Sequence, residues 1–156
     1  MLKITIPGFE PMEFKHLVLD FNGTIAFDGT ILQGVEPAIK MLSQLVTIHI
    51  LSADTNGNVL QQVAHLPVTT HVVNSAYQQQ EKLQYVEVLG CETVCAVGNG
   101  NVDIDMLRNA ELGIAILGPE GLSPKALAAS DLLMPNIVDA LESLMNSHRI
   151  KATLRT

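Results

Sequence analysis

Short apolar runs alternate with longer stretches in which apolar residues return every three or four positions, and the rhythm holds over most of the chain. The run HLVLDF at 16–21 is short and almost continuously apolar, as expected of a strand buried on both faces. The β-branched run VTIHIL at 46–51 reads the same way. Shorter strands are expected near 70–73, 93–97, 112–117 and 131–134. Between them the three-to-four spacing predicts helices over 35–45, with Pro37 in the first turn, and over 56–66. Further helices are expected over 79–89, ended by Gly90, then 102–110, 123–129 and a final one over 137–145. Residues 2–6 read as an extra edge strand.

Regular strand–helix alternation predicts an α/β fold with three layers, a Rossmann-like, mostly parallel sheet covered by helices on both faces. No repeat, low-complexity tract or linker interrupts it, so one domain over 1–156 is expected. In such sheets ligands bind beyond the carboxyl ends of the strands. Three strand ends carry polar residues: Asp20-Phe-Asn-Gly-Thr24, Ser52-Ala-Asp54, and Gly98-Asn-Gly-Asn-Val-Asp103.

Asp20 ends a buried strand, where a carboxylate is costly without a compensating charge. An Asp so placed can act as a nucleophile toward phosphorus. Asn22, Gly23 and Thr24 form a loop whose N–H groups are expected to face an anion. Ser52 can donate a hydrogen bond to a phosphoryl oxygen, although a lone Ser at a strand end is more often a turn or cap residue, and Asp54 reads as a cap for the next helix. Glycines on either side of Asn99 allow a sharp turn, and Asp103 is spaced to point back toward the sheet edge. Lys82 read in isolation is an exposed helical lysine; beside Asp20 its ammonium would offset both a nucleophile and a phosphate. Glu36 and Glu81 read as surface charges.

Composition narrows the partners. The chain has 156 residues, 47% hydrophobic and 16% charged, enough to build a core. A formal net charge of -7 argues against a nucleic-acid partner, which is held chiefly by Lys and Arg. No segment reaches the length of a membrane span and no signal core is evident at the start, so a cytoplasmic location without membrane insertion is expected. Cys91 and Cys95 read as ordinary thiols. Aromatic content is 4% with no Trp, leaving no obvious stacking platform for a base, and the five histidines suggest no role.

The ordered set LVLDFNGT, LSAD, a Lys before YVEVLG, and VGNGNVDIDML resembles the four motifs of the haloacid dehalogenase-like superfamily, and within it the soluble P-type ATPase-like group. The resemblance covers almost the whole chain. It implies a Mg²⁺-dependent hydrolase, a phosphatase or P-type ATPase-like protein, in which Asp20 forms an aspartyl-phosphate. It further implies that Asn22 and Lys82 assist catalysis, that Ser52 and Ala53 with Gly23 and Thr24 hold phosphate, and that Asp20, Asn22, Asn99 and Asp103 hold the metal. Asn22 stands where many members carry an acid/base Asp, Asn99 replaces a metal-binding Asp, and Val102 replaces an Asn. These departures suggest weak activity, or a phosphate-binding regulatory protein with little turnover. The intervals from Asp20 to Ser52 and from Ser52 to Lys82 are filled by core elements, so no cap domain is expected. The site would be open, closed by a flap near 24–32, by a partner or by another protomer. The expected substrate is a small phosphorylated molecule or a phosphoprotein.

Overall fold

The computed structural model describes residues 1–54 and 57–156. The chain opens with β1 (Leu2–Ile4), β2 (Met12–Phe14) and β3 (His16–Asp20), followed by the short strands β4 (Ala26–Phe27) and β5 (Thr30–Ile31). Next come α1 (Val35–Leu42), β6 (Thr47–Ser52), α2 (Asn58–Val63), β7 (Thr69–Val72) and α3 (Gln78–Leu89). The second half runs β8 (Val94–Gly98), α4 (Ile104–Asn109), β9 (Leu112–Ile116), α5 (Pro124–Ala128), β10 (Leu132–Met134), α6 (Ile137–Met145) and α7 (His148–Leu154).

Six strands form one sheet in the order β10-β9-β8-β3-β6-β7, every pair parallel. Successive side chains of a strand face opposite ways, and the two cores sort accordingly. Leu17 and Leu19 of β3, with Cys95 and Val97 of β8, join the core under α1 and α6. Val18, Val94 and Ala96 join the other, under α3 and α4. Each fully buried Leu, Ile or Val contributes roughly 1.5–3 kcal/mol, so a one-residue slip that reversed the faces would be prohibitive.

From β3 the chain runs outward through β6 and β7, then returns to place β8 on the other side of β3 before continuing to β9 and β10. The carboxyl ends of β3 and β8 therefore flank a topological switch point, where the surrounding loops diverge and leave a crevice. Asp20 ends one strand and Gly98 the other.

Two expectations are corrected. The N-terminal strand does not edge the main sheet. Instead β1 pairs antiparallel with β2, Leu2 opposite Phe14, as a separate ribbon, because the chain turns back through Pro7-Gly8 and finds its partner locally. A helix follows α6, so the one at 137–145 is not the last; α7 is mostly polar and buries Ile150. The helix expected from Asn56 is described from Asn58, and its expected start lies outside the described residues. The flap is a hairpin of β4 and β5. Its turn residues, Asp28 and Gly29, both have positive φ, the conformation that matches the twist of a two-residue hairpin.

Between β3 and β6, and between β6 and α3, no cap domain interrupts the described residues. Among the described residues no helix is long and apolar enough to cross a membrane.

Candidate active site

β3 delivers Asp20 to the crevice, and the side chain is 7% exposed. Burying a carboxylate demands a partner, and α3 supplies it: Lys82 is 0% exposed and donates from Nζ to Asp20 Oδ1 at 2.6 Å. The same Nζ donates to Asp103 Oδ1 at 2.8 Å. The exposed-lysine reading of residue 82 is thus overturned, because its ammonium is the shared counter-ion of two buried acids.

Burial, then the charge of Asp103, raises the Asp20 pKa to about 6 against the opposing pull of Lys82 and Thr24. Burial alone would lower the Lys82 pKa, but Asp20 and Asp103 outweigh it and hold the ammonium protonated, well above the usual lysine range. One cation between two carboxylates leaves the cluster with an unbalanced negative charge.

Asp103 is reached through a turn that only glycine allows, since a Cβ at Gly98 would lie 2.6 Å from Asp103 Cγ. Its Oδ2 accepts from the backbone N–H groups of Asn99 and Gly100 at 3.1 and 3.0 Å. With Oδ1 on Lys82 and no exposure, Asp103 is a brace for Lys82 and for the turn. Asp103 also borders the crevice, beside Asp20.

Gly23 and Thr24 form the turn that follows Asp20. Their N–H groups are spent within the turn, Gly23 donating to Ala26 O at 2.8 Å and Thr24 to Phe21 O at 3.2 Å, so neither faces an anion. The buried Thr24 hydroxyl instead lies 3.2 Å from both Asp20 Oδ2 and Asn99 Oδ1 and orients the two. Ser52 Oγ accepts from the Asp54 N–H at 3.1 Å, and its hydroxyl proton remains available to donate. Asp54 accepts from Val59 N–H at 2.8 Å, as expected of a cap on α2.

These residues border a cavity of about 730 Å³. Asp20, Asn22, Ser52, Ala53, Asn99 and Asp103 all line it, so the strand ends singled out from the sequence do converge. Asp28, Asp54, Asn58, Gln78 and Glu120 line it too, and no Lys or Arg does among the described residues. Glu120 escaped the sequence reading, although Gly118-Pro-Glu-Gly121 is one more polar loop just beyond a strand, after β9. The two cysteines are free, Cys95 buried and Cys91 partly so, and burial raises the pKa of both thiols.

Whether a divalent cation suits this donor set is answered by its chemistry. The lining is oxygen-rich, carries uncompensated negative charge and has no cationic side chain, which fits a hard ion such as Mg²⁺. Among the described residues no group of three or more His, Cys, Asp or Glu side chains could hold an ion unaided. The fit is therefore to an ion that keeps several waters, as Mg²⁺ does.

The sheet order, the switch point at β3 and the absence of an inserted cap among the described residues define a capless haloacid dehalogenase-like fold. A chain from Legionella pneumophila placed in the HAD superfamily, subfamily III A, superposes with a TM-score of 0.73 at 14% identity, covering 90% of this chain and 87% of its own. The 3-deoxy-D-manno-octulosonate 8-phosphate phosphatase of Moraxella catarrhalis, solved with magnesium, phosphate and the KDO molecule, also gives 0.73 at 14% identity, covering 90% and 91%. A cobalt-bound deoxy-D-mannose-octulosonate 8-phosphate phosphatase from Haemophilus influenzae gives 0.71 at 13%, covering 93% and 95%.

In sequence, the uncharacterized protein MJ0073 of Methanocaldococcus jannaschii is 44% identical over 78 residues, 47% of this chain and 84% of that protein. The chain belongs to the same family as MJ0073. The uncharacterized protein MJ0072 of the same organism is 50% identical over 40 residues, 26% of this chain and 91% of that protein. No known family profile matches the chain.

Proposed function

We propose that the chain is a Mg²⁺-dependent phosphatase that works through an aspartyl-phosphate on Asp20. The observation that carries this reading is the buried Asp20–Lys82–Asp103 cluster at the floor of an acidic cavity at the switch point. The solved phosphatases of the same fold, one holding magnesium and phosphate, support it.

A phosphate monoester is an anion, and the cavity wall offers it carboxylates and no side-chain cation. Bound Mg²⁺ would supply the missing positive charge and polarise a phosphoryl oxygen. Asp20, Asn22 through its backbone carbonyl, and Asn99 through its amide oxygen are the residues to hold it, with water completing the shell. Ser52, beside Ala53, would donate to the phosphoryl group. An Asp20 oxygen attacks phosphorus while the bond to the leaving oxygen breaks. Lys82 keeps Asp20 ionised and positioned. Water then attacks the phosphoryl group, the bond to Asp20 breaks, and phosphate leaves with the carboxylate restored.

Asn22 has no proton to give the leaving oxygen and cannot take one from the attacking water, so both protons exchange with solvent. General acid–base assistance contributes about 10²–10⁴ in rate. We therefore assign slow turnover and a long-lived phosphoenzyme. This is also where the likeness to soluble P-type ATPase-like proteins bears on the chemistry, and where a regulatory use of a slowly released phosphate would arise. The open crevice leaves room for a small phosphorylated substrate or a phosphoprotein, with the β4–β5 hairpin, a partner or a second copy closing over it.

The test is a panel of small phosphoesters assayed with and without Mg²⁺. Slow hydrolysis that needs Mg²⁺, disappears in Asp20→Asn and accelerates at least about tenfold in Asn22→Asp is expected. Hydrolysis that survives Asp20→Asn would refute the mechanism.

A further inference from the structure

We propose that Glu120, in the loop after β9, is a positioning residue for the divalent cation, returning to the site the negative charge that Asn99 lacks. The inference rests on the metal-dependent reading above.

The amide of Asn99 is oriented at both ends, with a lone pair of Oδ1 still open. Its Oδ1 accepts from the Thr24 hydroxyl, and its Nδ2 donates to Gly121 O at 3.1 Å. A carboxylate at position 99 could not make the second bond, since it has no N–H to offer a carbonyl. Asn99 thus ties the β8–α4 turn to the loop that carries Glu120. Two further bonds fasten the same junction: Ser123 N–H donates to Asn99 O at 2.8 Å, and the Ser123 hydroxyl pairs with Asn101 Oδ1.

The clamp leaves Glu120 against the catalytic loop. A Cβ at Gly23 would lie 2.5 Å from Glu120 Oε2 and 2.7 Å from Asn99 Nδ2, so the carboxylate and the amide share one small space above Gly23. Gly23 also has a φ of 81°, and a side chain there would both strain the turn and displace Glu120. Glu120 lines the same cavity as Asp20 and Asn99. A carboxylate is therefore present beside the residue 99 amide, on a neighbouring loop that the amide ties down through Gly121.

Glu120 is exposed, and the described residues contain no cluster of three ligating acids. Its carboxylate accordingly acts on the water shell of the ion. Loss of such an outer partner typically weakens metal binding about 10- to 100-fold.

Mn²⁺ titration of the purified protein, read by electron paramagnetic resonance with Mg²⁺ as competitor, tests this without reference to turnover. Wild type binds one ion at the site, and binding is lost in Asp20→Asn. Glu120→Gln weakens Mn²⁺ and Mg²⁺ affinity about 10- to 100-fold, while Glu111→Gln, an exposed acid before β9 at the other end of the sheet, leaves it unchanged. Equal affinity in Glu120→Gln and wild type would overturn the inference while leaving the metal-dependent reading intact. An equal loss in Glu111→Gln would also overturn it, by showing a bulk charge effect. If wild type bound no metal, the underlying reading would fall as well.

Discussion

Lys82 carries more of the site than any other side chain. Its aliphatic stem passes through the packing of α3 and its ammonium ends between two acids, with 0% of its surface exposed. Removing one partner of a buried ion pair leaves the other charge uncompensated, typically at a cost of about 3–5 kcal/mol. Lys82→Met should therefore destabilise the metal-free protein by that amount in urea unfolding at neutral pH. The loss should shrink on acidification. Asp20, with a folded pKa of about 6 against an ordinary 3.8, already contributes stability at low pH that is lost as pH rises through 6. Without the ammonium that window moves upward. A Lys82→Met protein as stable as wild type at neutral pH would mean that the cluster is not ionised as described.

At the scale of elements, β3, β6 and α3 are joined by a second polar link as well as by their apolar faces. His16 Nδ1 lies 3.0 Å from His49 Nε2, and His49 Nδ1 lies 2.9 Å from Tyr85 Oη. The ring of His71 on β7 lies against Tyr85. Burial, then the nearby His16, lowers the His49 pKa from 6.5 to about 4, and His16 is lowered too, by burial and then Lys15. The folded protein thus keeps His49 neutral where the unfolded chain protonates it. Stability should be lost as pH falls from 6.5 toward 4, by on the order of 1–2 kcal/mol once solvent screening is allowed for. His49→Phe should flatten that part of the stability–pH curve, measured by urea unfolding at a series of pH values. An unchanged slope would contradict the assignment.

None of this link was legible in the sequence, because the histidines and Tyr85 are far apart along the chain and each is unremarkable alone. The strands and helices of the main sheet were legible, because burial on both faces leaves uniform apolar runs and one-sided burial leaves three-to-four spacing. β2 and α7 were not. Met12–Phe14 is three residues long, and α7 shows only Ile150 and Leu154 as an apolar pair one turn apart. The loop after Asp20 was legible as a tight turn, but a motif does not reveal that the Gly23 and Thr24 N–H groups bond within the turn itself.

Over the whole molecule, the crossover from β7 back to β8 gathers residues from four loops at one sheet edge. Motif order anticipated that gathering: Asp20, Ser52, Asn99 and Asp103 all border one cavity, and Lys82 anchors its floor. The fourth contributor, the loop after β9, stayed hidden because the bonds that seat it, Asn99 to Gly121 and Ser123 to Asn99, join residues more than 20 apart along the chain. With a net charge of -7 and an acidic cavity, the protein would repel a phosphate in the absence of a cation. In the proposed reaction Asp20 captures phosphorus covalently. The direct measurement is peptide mapping by mass spectrometry of protein mixed with a reactive small phosphoester and Mg²⁺, then quenched in acid. A phosphoryl group on the peptide containing Asp20, absent when Mg²⁺ is omitted, is the result this mechanism requires. An unmodified Asp20 alongside measurable Mg²⁺-dependent hydrolysis, or a phosphoryl group on any other residue, would contradict it.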